Sequence, residues 1–469
     1  MSTEPLAFSL GSVRRRLLSG SAWVLSTRVL GLALGLAMNA LLARLLAPAE
    51  FGSFLLINTM VVIGSTLSEL GLDRAVVRFT AESLAINQPG RARDSIRLSI
   101  GWAAIGAASV GVVLSLGVGQ WFFGSVLNEP MVAAVVPLGA AWLFATATQY
   151  MFAQSFLGLS RFSHSAILQT FASDLVTVMV LGGVYLVGRS TSLPEAIGLI
   201  TFAATIVLAV TGLVLLRTMR PLRGPGQVTR QELFEVARPL LVSNLGIYLL
   251  GAGIDLWILG AFRSSEAVSL YGASSKLIVL VATPTIIFSG VIPPLVAELY
   301  AKGKVRQLER TLRVGATLVG VPALLVLVLF IVAGPWVMST VFGPFYTAGA
   351  SFLVIKSIGR VFAVWTGSSG IALMMTGHQK DMMRTTILGA TLSVGGGLLV
   401  TPHFGATGIA VTTAAAQVVQ NLAQLILAHR RLGIWTFVTM SPRTIRDILF
   451  GQRGAKKGDD EKEPSTDGG

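Results

Sequence analysis

Long apolar runs separated by short polar joints dominate this chain. Twelve runs can be laid out, over residues 21–41, 51–72, 97–118, 132–157, 166–187, 195–216, 238–261, 267–295, 312–333, 346–375, 383–401 and 406–428. At about 1.5 Å of rise per residue, each is long enough to cross a hydrocarbon layer roughly 30 Å thick. Backbone polar groups find no water in such a layer, so the runs are predicted to be helices. A short turn with Pro48 and Gly52 joins the first two, which makes them antiparallel neighbours.

The polar joints fix an orientation. With the N-terminus in the cytoplasm, the inner segments hold Arg14, Arg15 and Arg16, then Arg74, Arg78, Arg91, Arg93 and Arg97, then Arg217, Arg220, Arg223 and Arg230, then Lys302, Lys304, Arg306 and Arg310. The outer loops hold only Arg44, Arg189 and Arg263. Basic residues collect on the cytoplasmic side of membrane proteins, so both termini are expected there.

The pattern also repeats. Phe51-Gly52 and Tyr271-Gly272 lie 220 residues apart, and Arg161 and Lys380 lie 219 apart. The expected fold is therefore an all-α polytopic membrane protein with about 12 transmembrane helices in two pseudo-twofold six-helix lobes around a central cavity. The expected divisions are a lobe over residues 1–216, a cytoplasmic linker over 217–237, a second lobe over 238–430 and a cytoplasmic tail over 431–469. Within the tail stretch 434–450, Ser441-Pro442 reads as the N-cap and first residue of a short interfacial helix, and the last residues are polar enough to be disordered. Pro137, Pro284 and the pair Pro293-Pro294 are expected to kink or end spans four and eight.

Composition agrees. The 469 residues are 53% hydrophobic and 12% charged, a balance suited to a polytopic membrane protein. The net charge of +14 follows from the basic loops and does not point to nucleic acid. There is no cysteine, and the four histidines form no metal-ligand spacing, so no metal site, cofactor or catalytic residue is expected.

Charges inside the apolar spans are costly in lipid and mark function. Four are basic: Arg28, Lys276, Lys356 and Arg360. Lys356 and Arg360 stand at i and i+4 and face the same way. Two are acidic, Asp174 and Asp255, and Asp255 is expected either to pair with Lys276 across the seven–eight hairpin or to titrate as an ion-coupling group. The excess of bases suits an anionic substrate bound at Arg28, Lys276, Lys356 and Arg360. At the inner ends of the helices, Glu69, Asp73 and Arg74, with Glu298 in the second lobe, suggest a salt-bridge gate.

The segments LLARLLAPAEFGSF and LSELGLDRAVVRFTAE resemble the start of the Wzx-type oligosaccharide-unit flippases, within the superfamily that also holds the MATE drug exporters. SLYGASSKL, IPPLVAELYAKGK, VFGPFYTAGA, LMMTGHQKDMM and HFGATGIAVTTAAAQ extend the resemblance to about Gly433. The resemblance implies a flippase of the bacterial cytoplasmic (inner) membrane. It would move an undecaprenyl-diphosphate-linked oligosaccharide to the outer leaflet by alternating access coupled to H+ or Na+, for surface polysaccharide synthesis. The implied partners are the lipid-linked oligosaccharide, membrane lipids and other polysaccharide-assembly proteins. The alternatives are a MATE-like cation-coupled drug exporter, for which acids should dominate the cavity, and a peptidoglycan-precursor flippase. An enzyme is not expected, because the outer loops are short and carry no useful acid pair.

Overall fold

The computed structural model of the chain describes residues 22–222, 224, 228–238, 241, 253–290 and 292–439; the side chains of residues 22–26, 28, 162 and 170 lie outside that description. The described residues are helical, with no strand among them. In chain order they form α1 (Ala22–Leu45), α2 (Pro48–Ser68), α3 (Leu72–Ala85), α4 (Pro89–Val126), α5 (Pro130–Gly158), α6 (Ser163–Leu186) and α7 (Leu193–Met219). The second half gives α8 (Ile254–Phe262), α9 (Ser265–Ser289), α10 (Ile292–Ala301), α11 (Val305–Phe342), α12 (Ala350–Trp365), α13 (Ser369–Met375) and α14 (Gln379–Leu432). Among the described residues, nine helices are long and apolar enough to cross a membrane, one of them the 54-residue α14, and α1 adds the apolar segment Val29–Leu45.

The twelve expected spans all fall on helices where they are described, but several boundaries move. The third and ninth spans begin earlier, because α4 and α11 continue as polar helices toward the basic face of the molecule. Span ten is broken between α12 and α13. Helices α5 and α9 run through Pro137 and Pro284. Non-helical backbone occurs instead at Gly117 in α4, Ala333 in α11 and Gly405 in α14, the last dividing it into the expected pair of spans. Ala333 precedes Pro335 by two residues, and the ring of a proline removes a helical hydrogen bond and crowds the preceding turn.

Residues 434–439 are not helical; they strap the basic end of the C-terminal half, with Thr436 Oγ1 donating to Thr366 O at 2.6 Å and Val438 N to Trp365 O at 2.9 Å. The expected tail helix from Ser441 lies outside the described residues.

Helix starts are anchored by side chains. Glu50 Oε2 accepts from the backbone N–H of Ala47 at 3.1 Å, and its Oε1 accepts from Leu193 N at 3.2 Å, so one carboxylate caps α2 and holds the start of α7 against it. Glu195 caps α7 in the same way, accepting from Ser192 N at 3.3 Å.

The two halves meet along α2 and α9. A Cβ built on Gly52 would lie 1.8 Å from the carbonyl oxygen of Ser265, and one on Gly272 would lie 2.3 Å from Leu55 Cδ1. Only glycine permits so close an approach. The landmark pair that marks the repeat in the sequence is thus the place where its two copies touch.

The apolar core is divided unevenly. One large cluster draws on both halves, from Leu42, Phe51, Phe54 and Leu143 to Tyr271, Phe330, Tyr346 and Leu353. Toward the basic face there are two smaller clusters, and each belongs to one side. The first joins Leu72, Val76, Phe79, Ile96 and Phe156 to Leu233 and Ala237. The second joins Ile292, Val296, Leu299, Leu308 and Leu432.

Candidate functional site

Four helices carry the membrane-embedded charges whose side chains are described, and a fifth carries Arg28. In the C-terminal half, α8 carries Asp255, α9 carries Tyr271, Ser275 and Lys276, and α12 carries Lys356 and Arg360. In the N-terminal half, α1 carries Arg28 and α6 carries Asp174. The side chain of Arg28 lies outside the described residues.

Lys356 is the hub. Its Nζ donates to Ser275 Oγ at 2.6 Å, to Tyr271 OH at 2.9 Å and to Asp255 Oδ2 at 3.2 Å. It also lies 4.0 Å from the centroid of the Tyr271 ring, a cation–π distance. Tyr271 in turn donates its hydroxyl proton to Asp255 Oδ2 at 2.6 Å, and Leu256 N donates to Asp255 Oδ1 at 3.1 Å. The Lys356 and Asp255 side chains are only 11% and 19% exposed. A buried ammonium needs a counter-charge and filled hydrogen-bonding capacity, and here it has both.

This corrects the expected partner. Asp255 pairs with Lys356 and not with Lys276. Hairpin adjacency favours Lys276, but α12 packs against α9 and delivers Lys356 to the side of α9 where Tyr271 and Ser275 stand one turn apart. In the sequence Tyr271 stands out only as a repeat landmark, and Ser275 carries no signal of its own.

Lys276 faces the other half. It attracts Asp174 of α6 across the gap between the halves, although no ion pair closes between them. Asp174 also lies against α1, since a Cβ on Gly35 would be 3.6 Å from its Oδ2.

Arg360 is different from all of these. It is half-buried, stands one turn along α12 from Lys356, and makes no ion pair or hydrogen bond among the described residues. With Lys356 neutralised by Asp255 and Lys276 set against Asp174, Arg360 is the cation left over among the described side chains of the site.

The residues expected to gate are placed on separate sides. Glu298 pairs with Lys302 of its own helical turn at 2.6 Å. Glu69, Asp73 and Arg74 line a cavity of about 400 Å³ at the basic end of the N-terminal half, together with Arg78, Tyr150 and Gln154. A second cavity, of about 360 Å³, is apolar and lies between α1 and the C-terminal half, walled by Leu32, Leu36 and Ala40 against Leu280, Thr283 and Val341. Among the described residues, no group of His, Asp or Glu is arranged to hold a metal ion.

Comparison with known proteins adds a family and a fold. A family profile described as polysaccharide biosynthesis protein matches residues 17–300. A search of curated protein sequences gives no match. Among solved structures, an inward-facing multidrug resistance transporter of the MATE family, in the MOP superfamily, superposes with a TM-score of 0.72 at 15% identity, covering 85% of this chain and 94% of that chain. The lipid II flippase MurJ in an inward closed conformation gives a TM-score of 0.65 at 12% identity, with 86% of each chain covered. A MOP superfamily transporter from Pyrococcus furiosus, described by the reverse polarity of its binding pocket, gives 0.62 at 12% identity over 90% of this chain and 96% of that one. At such identities the likeness is one of fold, that of a polytopic, all-helical membrane protein.

Proposed function

We propose that this chain, which belongs to the polysaccharide biosynthesis protein family, is a membrane flippase whose cargo is an oligosaccharide carried on a polyprenyl diphosphate. The observation that carries this reading is Arg360. A guanidinium held inside a membrane-spanning helix without an acid costs several kcal/mol unless something anionic visits it. A diphosphate offers oxygens that its planar fork can grip with two charge-assisted bonds. A lipophilic cation would instead be repelled.

The rest of the site supports the same cargo. The apolar cavity beside α1 offers a prenyl chain a wall of Leu and Ala side chains while the headgroup stays among charges. The core is continuous between the halves away from the basic face and divided near it, which is the arrangement of two lobes open on one side. With the basic face in the cytoplasm of a bacterial inner membrane, the open side receives substrate where such lipids are assembled. Rocking of the two lobes would then deliver it outward. Asp174, in the gap and not locked into a hydrogen-bond network, is the group we assign to coupling with H+ or Na+; Asp255 is held by Lys356. A peptidoglycan precursor shares the diphosphate and is a related cargo.

The test is export by cells carrying Arg360→Ala, with lipid-linked units measured in the membrane. Export should stop and the units accumulate while protein levels hold. Arg360→Lys should be impaired as well, because Lys lacks the fork. Normal export by Arg360→Ala would falsify the diphosphate assignment.

A further inference from the structure

The cavity at the basic end of the N-terminal half is not explained by a phosphate site. It is formed where α3 turns back from α2 and both face α5. Its lining combines two carboxylates, Glu69 and Asp73, two guanidinium groups, Arg74 and Arg78, the Gln154 amide and the Tyr150 ring, over about 400 Å³. The formal charges balance, so the cavity has no net preference for an anion or a cation.

Two of these polar side chains are buried without a protein partner. Glu69 is 7% exposed and Gln154 is 8% exposed, and neither side chain makes a hydrogen bond or ion pair with the protein among the described residues. Their polar atoms are not sealed off by the protein, so they can bond what enters the cavity. Burial, and after it the neighbouring Asp73, pushes the Glu69 carboxyl well above its ordinary range, and its oxygens can accept from a hydroxyl. The Gln154 amide offers both a donor and an acceptor. The sequence explains the placement. Glu69 is the first residue beyond the end of α2, and the left-handed turn at Leu70 and Gly71 starts α3 at once. Gly71 cannot be replaced without cost, as its Cβ would lie 2.2 Å from the carbonyl oxygen of Ala237, which backs this turn.

A small, charge-balanced cavity with paired donors and acceptors and a tyrosine on its wall matches a neutral polyol. A hydroxyl group both donates and accepts, and a sugar ring presents several of them beside an apolar face. We propose that this cavity is a subsite for an uncharged sugar ring, with Glu69 and Gln154 bonding its hydroxyls. Resting on the lipid-linked oligosaccharide reading above, it divides the cargo: the phosphates belong at Arg360, and a sugar of the headgroup belongs between α3 and α5. Specificity for the saccharide would then reside in the N-terminal half, away from the membrane-embedded charges.

The chain has no cysteine, so a single reporter can be placed on the wall as Leu157→Cys. The rate of its reaction with a small polar thiol reagent is measured on the purified protein in detergent, alone and with maltose or inorganic diphosphate in the tens of millimolar. Maltose is expected to slow labelling several-fold and diphosphate to leave it unchanged. Adding Gln154→Leu, or separately Glu69→Leu, should abolish the maltose effect, while thermal unfolding midpoints report whether each variant is folded. Arg360→Ala should leave the protection by maltose intact, so the subsite and the phosphate assignment stand or fall separately. Absence of protection by maltose overturns the proposal. So does protection that survives both substitutions, and protection by diphosphate in place of maltose makes the cavity an anion site.

Discussion

Lys356 Nζ lies 3.2 Å from Asp255 Oδ2, joining α12 to α8 through the middle of the C-terminal half. Tyr271 and Ser275 of α9 complete the set, so three helices are tied by one ammonium. Removing one member leaves the other charged and poorly solvated. Breaking a buried ion pair from one side costs on the order of 3 kcal/mol, whereas replacing both partners by apolar groups is often near neutral. Asp255→Asn and Lys356→Met should therefore each lower the unfolding midpoint of the detergent-solubilised protein, and the double variant should recover most of the loss. Lys276→Met combined with Asp255→Asn should recover nothing. Rescue by Lys276→Met in place of Lys356→Met would restore the hairpin pairing that sequence adjacency suggests.

The second prediction concerns the seam between the halves. Gly52 meets the backbone of Ser265, which cannot rotate away as a side chain can. Gly52→Ala should force α2 and α9 apart, lowering thermal stability and stopping transport. Gly31, on α1, has open space where a Cβ would stand, with nothing within 4 Å. Gly31→Ala should be neutral or gain up to about 1 kcal/mol, because alanine is the better helix former. Equal effects of the two substitutions on the unfolding midpoint would show that helix propensity, and not close approach, decides both.

A third follows from Glu129, which precedes α5 and accepts a short hydrogen bond from Ser265 at the start of α9. Burial pushes the Glu129 carboxyl above its ordinary value of 4.5, and the Ser265 bond offsets this only in part. The state in which the halves meet here therefore binds a proton more tightly than the state in which they part. Its extra stability is present below the ordinary carboxylate value and is lost as pH rises through the raised one. Spin labels at positions 128 and 266 should show a short-distance population that shrinks as pH is raised from about 4 toward neutral. In Glu129→Gln that population should no longer depend on pH over this range.

The helical spans were legible because their signal is length and apolarity, which lipid enforces without help from tertiary contacts. Their ends were less so. The first turns of α4 and the first residues of α11 are polar, like the loops they were read as, and only packing against neighbouring helices shows them to be helical. Bends were misplaced for a related reason. Pro137 and Pro284 announce themselves in a sequence, yet α5 and α9 absorb them, while Gly117 interrupts α4 with no more signal than any other glycine; the break at Gly405 falls where two spans are expected to part. Among the charges, sequence identified the residues that gather at the middle but not their partners. Asp255 has two lysines within plausible reach, and the choice between them depends on how α12 lies on α9.

The last prediction separates pairing from coupling at Asp174. Asp174 and Lys276 come from opposite halves and attract one another across the gap without closing an ion pair. A pair that only positions the halves should tolerate loss of both charges, just as the Asp255–Lys356 pair should. A carboxylate that must exchange H+ or Na+ during each cycle cannot be replaced in that way. Asp174→Asn should therefore abolish gradient-driven movement of the lipid-linked substrate in reconstituted vesicles, with the protein still folded, and adding Lys276→Met should not restore it. Lys276→Met alone should retain movement but shift its dependence on the imposed gradient, because the positive charge that faces Asp174 is gone. Recovery of transport in the Asp174→Asn, Lys276→Met double variant would reduce the pair to a structural contact and move coupling to another site.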